Sequence, residues 1–210
     1  GELQLPLNNL GAVALDYQGK KGYATSIGHA PVAAMVDERA GSVLSIAEAL
    51  TNIVWAPMPD RITSISLSAN WMWPCKNEGE DARLYHAAKA ASDFAVALGI
   101  NIPTGKDSLS MTQKYKDQVV YAPGTVITSA AGEVSDVRKI VEPVLRPDPE
   151  SRLIYIDLAK DDFKLGGSSF AQYKNSLGAQ APTVTDPEYF VKAFNLLQSL
   201  IEESYVLAGH

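Results

Sequence analysis

The sequence contains a single cysteine, Cys75, among 210 residues, so an internal disulfide bond is impossible. One cysteine and three histidines are also too few for the clustered ligand patterns of zinc sites. Because chains without disulfides are typical of reducing compartments, this composition predicts a cytoplasmic protein.

Long apolar runs and an excess of positive charge are absent as well. No apolar stretch approaches the ~20 residues that a membrane-spanning helix needs, so we expect no membrane association. The net charge is -6, with 18 Lys and Arg against 24 Asp and Glu. Proteins that bind nucleic acid neutralise its phosphates with a basic surface, so we expect no nucleic-acid partner. A small phosphorylated ligand needs only a local positive charge and is compatible with this composition.

The apolar residues that are present form alternating strand and helix patterns. Period-two alternation and short apolar runs predict strands at 11–16, 22–27, 62–68, 100–104, 125–131 and 152–158. Apolar residues at helical spacing, with proline and glycine at the ends, predict helices at 41–55, 81–98, 168–177 and 187–205. The polar, proline-rich stretch 146–150 predicts a boundary between a domain of residues 1–145 and a second domain of residues 150–210.

The predicted helix at 41–55 has an unusual polar face. Its core stripe consists of apolar residues at helical spacing: Val43, Ile46, Ala47, Leu50, Ile53 and Val54. The opposite face carries only one charge, in the set Ser45, Glu48, Asn52 and Trp55. A polar face is usually a solvated surface, but such a surface is normally rich in Lys, Glu and Arg. The composition therefore indicates that something covers this face.

Glu48 and Asn52 are one helical turn apart and lie side by side on that face. Carboxylate and amide oxygens are hard ligands that suit Mg²⁺, which takes one or two protein ligands and completes its shell with water and substrate phosphate. The pair predicts a magnesium site, and a solvated surface is the alternative.

A second candidate site is the stretch 105–111, of sequence GKDSLSM. Gly105 lets the backbone approach an anion closely, Lys106 supplies a compact positive charge, and Ser108 donates a hydrogen bond. Asp107 is placed to hold Mg²⁺ or to orient the lysine. We interpret the stretch as a phosphate-binding loop, and an ordinary turn with a surface ion pair is the alternative.

Three further features are weaker candidates. His29 lies in a predicted turn and has the chemistry of a general base, but the sequence near it offers no partner carboxylate. Cys75 lacks the sequence context of a nucleophile elbow. The segment 166–169, GGSS, is either an anion-binding helix start or a glycine turn with a serine cap.

Five segments occur in a distinctive order and spacing: 24–28 (ATSIG), 48–52 (EALTN), 68–73 (SANWMW), 105–111 (GKDSLSM) and 165–168 (LGGS). Together they resemble the second half of the synthetase region of the large, single-chain phosphoribosylformylglycinamidine synthases. The resemblance covers essentially the whole chain. It implies an α+β fold of the PurM/AIR-synthetase type, in which residues 1–145 form a mixed sheet with helices on one face, as half of a barrel. It also implies that residues 150–210 begin the companion α/β domain.

Members of this family convert formylglycinamide ribonucleotide, ATP and glutamine to the amidine in purine biosynthesis. The resemblance therefore implies ATP or ADP and Mg²⁺ as cofactors and a phosphoribosyl substrate. It also implies the remaining synthetase and glutaminase domains as partners. Two alternatives stay open: a stand-alone ATP-using synthetase or kinase of the same superfamily, and an assembly module with vestigial pockets.

The resemblance also implies roles for individual residues. Glu48 and Asn52 match magnesium ligands of an auxiliary nucleotide site, and a third ligand, an aspartate in the family, falls at Asn9. Asparagine keeps an oxygen ligand there but removes a negative charge. The implied nucleotide or phosphate contacts are Asn8, Gly105, Lys106, Asp107 and Ser108.

Several parts of the family pattern have no counterpart in this sequence. They are an Asp-x-Ser-Asp-Gly-Gly segment expected after His210, a His-rich catalytic motif and the glutaminase residues. The chain also begins with glycine rather than methionine. We therefore expect a fragment of the larger enzyme, and we expect it to dimerise through the open sheet of its first domain.

The 210-residue chain is expected to form no amidine from formylglycinamide ribonucleotide, ATP and ammonium, because the catalytic motif is absent from it. The measurement is ADP release and amidine formation by purified chain, beside a full-length family member as the positive control. Turnover above the protein-free blank would contradict the expectation.

Overall fold

The computed structural model describes residues 7–210. A five-stranded mixed sheet has the strand order β1-β2-β7-β3-β4, and a separate hairpin pairs β5 with β6. The strands are β1 Gly11–Ala14, β2 Gly22–His29, β3 Ile65–Met72, β4 Asn101–Ser108, β5 Thr112–Lys114, β6 Val119–Tyr121 and β7 Thr125–Val134. The helices are α1 Pro31–Val36, α2 Glu38–Ile53, α3 Glu80–Leu98, α4 Ser169–Tyr173 and α5 Pro187–Glu202.

One face of the sheet carries the helices and the other is open. Residues of β2 alternate between buried and exposed along the whole strand, as the sequence pattern predicted. The buried side of the sheet packs against α2, and α3 packs against α2 in turn. The α+β class with a mixed sheet and helices on one face is therefore confirmed, and the sheet is not closed into a barrel.

The contact between α2 and β2 is unusually close at Gly28. A Cβ atom there would lie 2.2 Å from the carbonyl oxygen of Ser45, so only glycine allows the helix to sit at this distance. The fully buried Ser45 hydroxyl lies 3.0 Å from the carbonyl oxygens of Gly28 and Val126. Assigning Ser45 to the outer polar face of the helix was therefore wrong, because the sheet supplies hydrogen-bonding partners for it.

In the segment 105–111, predicted as a phosphate-binding loop, residues 105–108 form the second half of strand β4 and residues 109–111 follow it. The connection β3-α3-β4 places β4 parallel to β3, at the edge of the sheet. A Cβ atom on Gly105 would lie 2.2 Å from the carbonyl oxygen of Ala69. The glycine therefore has a packing role, since it lets β4 approach β3, and the loop interpretation was wrong.

The predicted strand at 152–158 was also wrong, because no residue of that segment is in a strand. Leu153, Ile154 and Tyr155 are all more than three-quarters exposed. A β-strand needs a hydrogen-bonded neighbour, and within residues 7–210 this segment has none. Short elements that lack a long apolar pattern, namely α1 and the β5-β6 hairpin, were not predicted.

The C-terminal part of the chain shares the core of the N-terminal part. Phe190 and Phe194 of α5 are fully buried in the same cluster as residues of α2, β3 and α3. The fully buried Gln198 joins the two parts, because its Nε2 donates to the carbonyl oxygens of Val54 and Ala56 while its Oε1 accepts from the Met58 amide. The domain boundary at 146–150 stays a prediction, since a shared core is compatible with one domain or two.

Replacing Gln198 with alanine is expected to destabilise the fold by about 3 kcal/mol, because three buried backbone groups lose their partners. The measurement is the urea-unfolding free energy. The control is Leu196→Ala, on an exposed position of the same helix, for which we expect a change within about 0.5 kcal/mol. Equal effects of the two substitutions would contradict the anchoring role of Gln198.

Candidate functional site

Glu48 and Asn52 lie over an unpaired edge of β2. Strand β1 begins at Gly11, opposite Thr25, so among the described residues, 7–210, the last residues of β2 have no strand partner on that side. The helix α2 supplies hydrogen-bonding groups instead, and its two polar side chains reach this edge. The face predicted to be covered is therefore in contact with the end of a strand.

Each of the two side chains binds one backbone group of that edge. Glu48 Oε2 accepts a hydrogen bond from the His29 amide at 2.6 Å, and Asn52 Nδ2 donates to the Ile27 carbonyl oxygen at 3.0 Å. The His29 ring also approaches, with Nδ1 3.6 Å from Glu48 Oε2. No local sequence pattern indicates this pairing, because it depends on the close docking of α2 at Gly28.

The remaining oxygens of this pair fit a hard cation. Neither Glu48 Oε1 nor Asn52 Oδ1 has a hydrogen bond from the described part of the chain, and the Glu48 side chain is 46% exposed. One carboxylate and one amide oxygen suit a Mg²⁺ ion that completes its shell with water and phosphate. No group of three or more His, Cys, Asp or Glu side chains is placed to hold a metal among residues 7–210. A cation at this pair would therefore depend on a ligand for most of its negative charge.

Asn9 lies two residues before β1, and its amide faces the C-terminal end of the chain. Its Nδ2 donates to the Gly209 carbonyl oxygen at 3.1 Å. Gly209 in turn packs on the indole ring of Trp55, where a Cβ atom would lie 2.1 Å from the ring. Trp55 belongs to the polar face of the first predicted helix, so the C-terminal residues cover the end of that face.

Asn8 and Asn9 line a groove of about 800 Å³ between β1 and residues 137–143. Arg138 also lines this groove and forms an ion pair with Asp136 at 2.7 Å. The hydrogen bond from the Arg138 guanidinium holds the pKa of the Asp136 carboxyl well below its usual range. Glu48 and Asn52 do not line the groove, so the structure brings the predicted residues together as two pairs rather than one set.

Lys106 and Ser108 share the open face of the sheet. The Lys106 ammonium donates to the Ser108 hydroxyl at 2.7 Å, as expected for side chains two residues apart on a strand. Asp107 lies between them in sequence and therefore points to the opposite face, where its register partner is Trp71. Because the segment is a strand, the structure does not bring Asp107 together with Lys106 and Ser108.

Asp107 is instead one of the charges that act on Cys75. Burial raises the pKa of the Cys75 thiol, and the carboxylates of Asp81, Glu80 and Asp107 raise it further. The thiol is therefore protonated at neutral pH, which is unfavourable for a nucleophile.

The family model of the FGAR-AT PurM_N-like domain matches residues 1–133. The chain belongs to this family. The match covers the whole of β1 to β6 and all of β7 except its last residue, Val134. It confirms the resemblance that the five sequence segments indicated.

Two curated relatives are similar along the entire chain. Phosphoribosylformylglycinamidine synthase of Homo sapiens is 37% identical over 211 residues, which is 100% of this chain and 16% of the human protein. The probable phosphoribosylformylglycinamidine synthase, chloroplastic/mitochondrial, of Arabidopsis thaliana is 38% identical over 211 residues, 100% of this chain and 15% of that protein. The chain thus spans about one sixth of the length of these relatives.

A solved structure of T. maritima PurL complexed with FGAR has a similar fold. The superposition covers 96% of this chain and 30% of the PurL chain, with a TM-score of 0.67 and 14% sequence identity. At this sequence identity the similarity shows the fold alone. It supports a PurM-like architecture over both parts of the chain. No helix within residues 7–210 has the length and apolar character needed to cross a membrane.

Proposed function

We propose that this chain supplies part of a nucleotide–magnesium site in a phosphoribosylformylglycinamidine synthase. The proposed whole enzyme is the ATP- and glutamine-dependent ligase that converts formylglycinamide ribonucleotide to its amidine in purine biosynthesis. The observation that carries the proposal is the placement of Glu48 and Asn52 together on an open strand edge, each with one oxygen left for a ligand. The family match and the synthase relatives support the reaction class.

The charge of the site favours a metal–phosphate complex over a bare ion. Glu48 provides one negative charge and Asn52 provides a neutral oxygen, so the phosphates of ATP or ADP supply the rest of the negative charge. Magnesium would neutralise those phosphates and orient them, while Glu48 and Asn52 hold the ion against the end of β2. Asn8 and the groove beside β1 are then available to the remainder of the nucleotide.

Lys106 and Ser108 are proposed as contacts of a phosphate group on the open face, together with the backbone at Gly105. Lys106 provides positive charge there, and its bond to Ser108 orients the ammonium along β4. Asp107 points to the other face of the sheet, so its proposed binding role requires a ligand that reaches that face at β4. The proposed partners are the remaining synthetase and glutaminase domains, and the proposed compartment is the cytoplasm.

The alternative is an assembly module whose pockets no longer bind nucleotide. The open sheet face at the β1-β2 pair has features of a protein interface, which favours an assembly role in addition to ligand binding. Val13 and its register partner Tyr23, and Ile27 further along β2, lie on this face and are 66%, 45% and 60% exposed. An apolar patch of this kind is typical of a protein interface, so we also propose that the isolated chain forms a homodimer through this face.

Replacing Glu48 with glutamine is expected to weaken Mg-ADP binding about tenfold or more, which corresponds to about 1.4 kcal/mol. Glutamine keeps the oxygen that accepts from the His29 amide, so the fold is retained while the negative charge is lost. Isothermal calorimetry with Mg-ADP, and with ADP in the presence of EDTA, measures the effect. The control is Glu203→Gln at an exposed position, which should bind like the unmodified chain. Absence of Mg-ADP binding by the unmodified chain at millimolar nucleotide would favour the assembly module.

Replacing Val13 with lysine is expected to raise the dimer dissociation constant at least about tenfold, because a charge is buried in the apolar patch. Light scattering across a concentration series measures the change. Val96→Lys, on the exposed side of α3, is the matched control and should leave the dimer intact. A strict monomer for the unmodified chain at high concentration would contradict the homodimer.

A further inference from the structure

Asn70 lies beside Lys106 on the open face of the sheet. The parallel register of β3 and β4 pairs Asn70 with Lys106, and the antiparallel register of β3 and β7 pairs it with Ile127 on its other side. Residues paired in register point to the same face of a sheet. The asparagine therefore has a lysine on one side and an apolar side chain on the other.

The side-chain oxygen of Asn70 is buried, and no group within residues 7–210 forms a hydrogen bond with it. Buried polar atoms are nearly always hydrogen-bonded in native proteins, and leaving one unpaired costs about 1–3 kcal/mol. This result does not depend on which amide atom is assigned as oxygen. If the oxygen and nitrogen were exchanged, a buried nitrogen would lack a partner instead. The unpaired Asn70 oxygen therefore destabilises the isolated chain, and a hydrogen-bond donor beside it would remove this cost.

The Lys106 ammonium is a donor with unused capacity at the neighbouring position. It carries three N–H groups, and its only hydrogen bond in the described structure goes to Ser108, at 2.7 Å. Ile127, on the other side of Asn70, has no side-chain donor at all. The parallel register places this lysine directly beside Asn70 on the neighbouring strand.

We infer that Asn70 is a positioning residue for Lys106 when a phosphate group binds on the open face. The Asn70 oxygen accepts one N–H of the ammonium, the Ser108 hydroxyl accepts another, and the third is directed at the phosphate. The ligand class is a phosphate or phosphate ester. The inference rests on the proposed phosphate-binding role of Lys106 and adds a residue to that site.

A double-mutant cycle on the 210-residue chain tests this role. The probes are inorganic phosphate and, separately, ADP in EDTA, with dissociation constants measured by calorimetry for Asn70→Ala, Lys106→Met and the double variant. We expect each single substitution to weaken binding about tenfold and the double variant to bind no more weakly than Lys106→Met, since Asn70 acts through the lysine. The control Ser68→Ala, two residues away on the same face of β3, should bind like the unmodified chain.

Thermal unfolding separates positioning from a structural role. Removing an unpaired oxygen should leave the melting temperature of Asn70→Ala unchanged or raised, whereas a structural asparagine would lower it. Unchanged phosphate affinity in Asn70→Ala, additive losses in the double variant, or an equal loss in Ser68→Ala would overturn the inference while leaving the proposed function in place. Unchanged affinity in Lys106→Met, or no binding by the unmodified chain, would overturn the inference together with the proposed phosphate-binding role of Lys106, whereas the magnesium site at Glu48 and Asn52 is tested separately with Mg-ADP.

Discussion

The docking of α2 on β2 at Gly28 is the contact on which the rest of the structure depends. Any side chain at Gly28 would meet the backbone of α2, and the buried Ser45 hydroxyl then joins the helix to two strands. With the helix held at this distance, Glu48 and Asn52 reach the edge of β2 beyond the start of β1. A wider separation would leave backbone groups of the strand unpaired and would also displace the proposed magnesium ligands. Stability and site geometry therefore depend on the same contact.

The sheet has two different regions on its open face. The β1-β2 side carries the exposed apolar side chains Val13, Tyr23 and Ile27, while the β3-β4 side carries Asn70, Lys106 and Ser108. The open sheet was expected to form a dimer interface, but period-two alternation says only which residues share a face and not what that face contacts. The division suits an interface on one side and a polar ligand surface on the other. The two proposed roles of the chain can therefore coexist.

The sequence predicted the elements with long, regular patterns, and packing decided the others. The helices around Ile46 and Phe94 and the alternating strand at 22–29 were predictable because a single buried face imposes their periodicity. The 105–108 segment was misjudged because glycine and lysine are typical of loops, whereas here the glycine permits close strand pairing with Ala69. The apolar run at 152–158 has the composition of a strand but no strand beside it. Contacts between distant residues, such as His29 with Glu48, have no local signal.

The most direct test of this account is the location of a metal ion in crystals of the chain grown with ADP and Mn²⁺, which takes the same oxygen ligands as Mg²⁺. The account predicts an anomalous difference peak within coordination distance of the Glu48 carboxylate and the Asn52 amide oxygen, with phosphate oxygens completing the shell. A well-occupied metal–nucleotide complex elsewhere on the chain, with Glu48 and Asn52 bound only to the edge of β2, would contradict it. In that case the two side chains would serve only to close the strand edge.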